Sequence, residues 1–71
     1  MFTKMFVIEC RGNDPEKKYL GEWFRSGNKD TEGFFTTHSE AYVAIKANRK
    51  LYPEEKNIDY RTREVVIAEA E

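Results

Sequence analysis

"GFFTTHSEAYVAI", residues 33–45, contains the change of period on which the fold depends. Up to Thr37 the chain reads as strand, because phenylalanine and threonine suit a pleated, half-buried surface. From His38 onward the apolar spacing becomes helical. Thr37 and Glu40 match the Thr-x-x-Glu capping box, in which the threonine oxygen accepts an orphan N–H and the glutamate reaches back to the N–H of the cap residue. Such a cap contributes about 1 kcal/mol, which accounts for both residues without a role in a site. The helix is expected over residues 38–52, with Pro53 stopping it.

Working outward, strands are expected at residues 2–10, 19–25 and 34–37. Gly12, Asn13, Asp14 and Pro15 mark a turn across 11–18, and the polar run 26–33 reads as a hairpin loop. After a charged loop at 53–57, a last strand is expected at 58–68. The order is β-β-β-α-β. It predicts one α+β domain over residues 1–71, a three- to four-stranded antiparallel sheet with one helix packed on one face. The last strand joins an edge or lies beside the first.

Strand alternation assigns the faces. Phe6, Ile8 and Cys10 share one side of the first strand, and Met5, Val7 and Glu9 the other. Tyr19, Gly21 and Trp23 share one side of the second strand, and Leu20, Glu22 and Phe24 the other. Gly21 signals a bulge or a close backbone approach. On the helix, Ala41, Ala44, Ile45, Asn48, Leu51 and Tyr52 form the core stripe. Asn48, at its centre, needs hydrogen-bond partners, expected from a neighbouring loop backbone. Lys46, Arg49 and Lys50 lie outside that stripe and complement the helix C-terminus.

Composition limits the function classes. A 71-residue chain buries only about 60% of its unfolded surface, which leaves little interior for a deep catalytic pocket. Twelve basic and thirteen acidic residues give a net charge of -1, without the basic excess of a general nucleic-acid binder. Cys10 is the one cysteine and His38 the one histidine. No intramolecular disulfide can form, and a closed zinc site needs four ligands. A Cys10–His38 dyad lacks local support, and His38 is expected to face solvent. No glycine-rich phosphate loop or nucleophile–base pair is present, and Glu54-Glu55 reads as solvated loop charge. The expectation is a cytoplasmic protein with no enzymatic activity, cofactor, metal or membrane span.

The five phenylalanines, four tyrosines and one tryptophan are more than one helix can cover. Adjacent strand residues point to opposite sides, so Phe34 and Phe35 cannot both lie under the helix, nor can Trp23 and Phe24. Large apolar groups are therefore expected on the uncovered sheet face, where such patches mark partner surfaces. Tyr19, Trp23 and Phe34, with Arg25, are the expected protein-binding residues. The alternative is a nucleic-acid module using sheet aromatics with Arg25, Lys29, Lys46, Arg49 and Lys50.

Two resemblances bear on this. "GEWFRSGNKDTEGFFTTHSEAYVAI", residues 21–45, resembles the strand–strand–helix core of AP2-like DNA-binding domains of phage integrases. Phe35, Thr37, Glu40 and Ala41 fit that family's F-x-T-x-x-E-A motif. The resemblance implies DNA contact through the sheet, although this chain has few basic strand residues there and adds a further strand. Nearly the whole chain, through "MFVIE", "YLGEWF", "FFTTHSEAYVAI", "LYP" and "REVVIAE", also resembles small phage- or prophage-encoded proteins. That resemblance implies an inhibitor or adaptor that binds a host protein. A homodimer through the open face is compatible with either reading.

Overall fold

The computed structural model describes residues 2–68. Its elements are β1 (Phe2–Asp14), β2 (Tyr19–Leu20), β3 (Phe24–Arg25), α1 (His38–Leu51) and β4 (Ile58–Ala68). The β-β-β-α-β order and the antiparallel α+β architecture agree with the sequence pattern. The last strand has the expected bounds, Ile58–Ala68, but the other strand boundaries differ. β1 continues past Cys10 to Asp14, which confines the turn to residues 15–18.

β1 is the central strand. β4 pairs with it along nearly its whole length, from Phe2↔Ala68 to Gly12↔Ile58. On the other edge, residues 19–35 follow β1 in pieces. Asp14 pairs with Tyr19 and Asn13 with Leu20. Cys10 pairs with Phe24 and Glu9 with Arg25. Phe35 and Phe6 exchange two hydrogen bonds of 2.8 Å each. The 26–33 segment is therefore no hairpin turn. The chain leaves the edge after Ser26, whose N–H donates to the Ile8 carbonyl at 2.9 Å, and returns to the same edge at Phe35. The strand expected at 34–37 reduces to one bridge.

A bulge interrupts this third track. The Gly21 N–H donates to the Gly12 carbonyl at 2.8 Å, while Phe24 pairs with Cys10. Arg11 thus opposes two residues, Glu22 and Trp23. A one-residue slip sends following side chains to the opposite face, which separates Trp23 from Tyr19. Glycine eases this approach, since a Cβ at Gly21 would lie 3.2 Å from the Tyr19 hydroxyl and 3.3 Å from the Gly12 backbone nitrogen and oxygen.

At the start of α1 the Glu40 N–H donates to Thr37 Oγ1 at 3.1 Å. The Glu40 carboxylate does not close the expected box. It accepts from the Thr36 N–H at 3.3 Å and the Thr36 hydroxyl at 2.6 Å. Ala41 and Ile45 bury against Ile8, with Phe35, Ala44 and Tyr60 around them. His38 lies over Phe6, ring centroids 4.1 Å apart, and shares a 2.7 Å hydrogen bond with the Thr62 hydroxyl while remaining exposed. Leu51 and Tyr52, expected in the core, are exposed. A 14-residue helix spans about 21 Å, whereas the 13-residue β1 spans about 44 Å, so the sheet continues past the end of α1 beyond Cys10. No helix among the described residues is long and apolar enough to cross a membrane.

Ile8 stands at the centre of this small core, 1% exposed. Ile8→Ala should cost about 3 kcal/mol, removing most or all of the urea-unfolding plateau of so small a domain. Val43→Ala, on the exposed outer side of α1, should change stability by no more than about 0.5 kcal/mol.

Candidate functional site

Residues directly opposite one another in an antiparallel ladder share a face. Phe6, Ile8 and Cys10, with Thr62 and Tyr60, face α1. Val7, Glu9 and Arg11, with Arg63, Arg61 and Asp59, face away from it. The third track adds Arg25, Trp23 and Phe34 to this second face. The arrangement follows from two alternating runs, Val7-x-Glu9-x-Arg11 and Asp59-x-Arg61-x-Arg63.

Glu9 is only 5% exposed. Its Oε1 accepts from Arg61 Nε at 2.8 Å and lies 2.7 Å from Arg61 Nη2, while its Oε2 accepts from Arg63 Nη1 at 3.2 Å. Burial alone would raise the Glu9 carboxyl. The hydrogen bonds and charges of Arg61 and Arg63 outweigh it and hold the group below the usual carboxylate range. Asp59 Oδ2 accepts from Arg11 Nε and Asn13 Nδ2, each at 3.1 Å.

The guanidinium carbons of Arg11 and Arg61 lie 4.4 and 4.2 Å from the Trp23 ring centroid. Arg25 lies 4.9 Å from the Phe34 centroid and donates from Nη2 to the Gly33 carbonyl at 3.0 Å. Gly33 has φ +90, a left-handed conformation suited to glycine, and so delivers Phe34 to this face. Val7 is buried, 2% exposed, although it faces away from α1. Across this face four arginines (Arg11, Arg25, Arg61, Arg63) meet three carboxylates, Glu9 and Asp59 in the ladder and Glu22 in the bulge opposite Arg11. The local balance is +1 on a chain of net charge -1.

Trp23, Phe34 and Arg25 thus share one surface. Tyr19 does not. Its Cε1 sits 3.1 Å from where a Cβ on Gly12 would be, on the α1 side of the sheet. The basic residues expected for nucleic acid are also divided. Arg25 is on the open face, Lys29 is in the excursion loop, and Lys46, Arg49 and Lys50 are on α1. Arg49 lies over Tyr60 at 5.0 Å. Many exposed rings are elsewhere, including Phe2, Phe24, Tyr42 and Tyr52. The open face is an arginine–tryptophan surface more than a broad aromatic one. Sequence reading missed Glu9, Arg61 and Arg63; the alternation in "DYRTRE", residues 59–64, carried the signal.

On the α1 side, Asn48 donates to the Tyr60 hydroxyl at 2.9 Å and accepts from Asn28 at 3.2 Å. Side chains, not a loop backbone, satisfy it. Tyr60 donates to Glu55 at 3.2 Å; burial, then the Glu55 charge, pushes its hydroxyl up. Burial also pushes the Cys10 thiol up, against a hydrogen bond with Ser26. Cys10 and His38 therefore have different partners, Ser26 and Thr62. Among the described residues no group of three or more His, Cys, Asp or Glu side chains is placed to hold a metal ion. No protein-family model, curated protein or solved structure matches the chain.

Glu9 sets a pH dependence. Its folded pKa is depressed, so its contribution to stability is present above the unfolded value of about 4.3 and is lost as pH falls through the lower folded value. Urea midpoints measured down a pH series should decline across that acid window. Glu9→Gln should lower stability by about 2 kcal/mol at neutral pH and flatten the decline.

Proposed function

We propose that this chain is a non-enzymatic binding module whose uncovered sheet face takes an acidic segment of a partner protein. The observation that carries this reading is the cluster of Arg11, Arg25, Arg61 and Arg63 around Trp23 and Phe34, a local positive excess on a chain that is slightly acidic overall. Arginine and tryptophan are the types that dominate interface energetics. Charge complementarity steers the encounter and selects the partner. Trp23 is half-buried and braced by two guanidiniums, so little side-chain freedom is lost when it becomes an anchor. The resemblance to small phage-encoded proteins gives this reading its form: an inhibitor or adaptor of a host protein.

A nucleic-acid reading draws on the same arginines, with phosphates in place of carboxylates. Trp23 is the one tryptophan, so its fluorescence reports on this face directly. An acidic peptide rich in glutamate and tyrosine should change that signal saturably, and Arg25→Glu, which leaves the Glu9 ion pairs in place, should weaken binding about tenfold. Trp23→Ala, followed by calorimetry, should weaken it while the fold is retained. Oligothymidylate binding more tightly than the peptide, with a steep salt dependence, transfers the function to nucleic acid. A stable dimer by light scattering that Arg25→Glu dissolves makes a second copy the occupant. No response to either ligand from a monomer ends the proposal.

A further inference from the structure

The face under α1 carries a second feature, independent of the arginine surface. Beyond the end of the helix core lies a cavity of about 300 Å³ lined by Cys10, Gly12, Phe24, Asn28, Glu55 and Tyr60, among others. That is the lower end of the range for small-molecule sites.

The cavity has a structural cause. Cys10 pairs with Phe24 on one side and Tyr60 on the other, so the three side chains form one row across three strands, on one face. The next residue of β1 on that face is Gly12, which has no side chain. Two rings therefore flank a floor of small residues. Strands are about 4.8 Å apart, so the backbones that carry the two rings are about 10 Å apart, with Cys10 between them. A cation is attracted to a ring face within about 6 Å of its centroid. The loop at Ser26–Asn28 closes one side, held by the hydrogen bond between the Ser26 and Thr31 hydroxyls and by the Asn28–Asn48 contact.

The charge of the occupant follows from Glu55. Its carboxylate accepts from the Tyr60 hydroxyl and makes no ion pair among the described residues. Arg11, also at the wall, is paired with Asp59. Arg49 approaches Tyr60 from α1 and does not line the cavity. The polar atoms at the wall are mostly committed: the Tyr60 hydroxyl accepts from Asn48 and donates to Glu55. Apart from Glu55 the wall is mostly apolar, so it suits a charge carried on methyl groups better than a strongly hydrated primary ammonium. A quaternary head brings a charge without donors.

We infer that the protein binds a small quaternary ammonium compound in this cavity, its head between Phe24 and Tyr60 and facing the Glu55 carboxylate. Amide chemical shifts of the isotope-labelled full chain, titrated with tetramethylammonium chloride, test this. Saturable shifts are expected at Cys10, Gly12, Phe24 and Asn28, with binding about tenfold tighter than that of neutral tert-butanol. Phe24→Leu and Glu55→Gln, both at exposed positions, should each weaken binding about threefold or more while keeping a dispersed spectrum. Arg25→Glu on the opposite face should leave it unchanged, which separates this site from the proposed protein surface. Absence of saturable shifts, equal binding of tert-butanol, or full binding by both cavity variants overturns the inference.

Discussion

A helix of about 21 Å lies on a central strand of about 44 Å, and most features of this protein follow from that mismatch. Packing between the layers reaches only from Phe6, under His38, to Tyr60, under Asn48. The buried apolar residues are few: Val7, Ile8, Cys10, Ala41 and Ile45. Past the end of the helix core the sheet must be covered by something else or remain open. At the Gly12 end it remains open as a cavity between two rings.

The side that α1 never touches carries a ladder of charged side chains. Arginines combine long apolar stems with heads that stay near water. Their charges then need partners, and Glu9 and Asp59 supply them from the same ladder. Glu9 is the most constrained of these groups, since a buried carboxylate without its two guanidiniums would be costly. The surface that results is positive and centred on Trp23, which ties the stability of the sheet to the surface proposed for binding.

The bulge opposite Arg11 decides which aromatics belong to that surface. Without the extra residue, Trp23 would oppose Cys10 and point towards α1, and Phe24 would point away. With it, Trp23 meets Arg11 and Arg61, and Phe24 stands beside the cavity. Gly21 makes the arrangement possible by letting two backbones approach where any Cβ would crowd the carbonyl of Gly12. The two faces of this sheet therefore owe their different chemistry to one glycine and one added residue.

The sequence alone determined the elements with strong local signals: the helix from the Thr37 cap to Pro53, the alternating first strand, the last strand, and their order. Those signals are short-range, set by hydrogen-bond geometry and side-chain period within a few residues. It also determined that one helix could not cover all the rings. Only the tertiary structure decided that β1 is central, that residues 19–35 follow one edge of it in pieces, and that Tyr19 and Trp23 point apart. Register and strand neighbours depend on contacts far apart in the chain, and a single bulge reverses every assignment downstream. For the same reason Glu9, Arg61 and Arg63, about fifty residues apart and each ordinary in its local context, become one site only when β1 and β4 lie side by side.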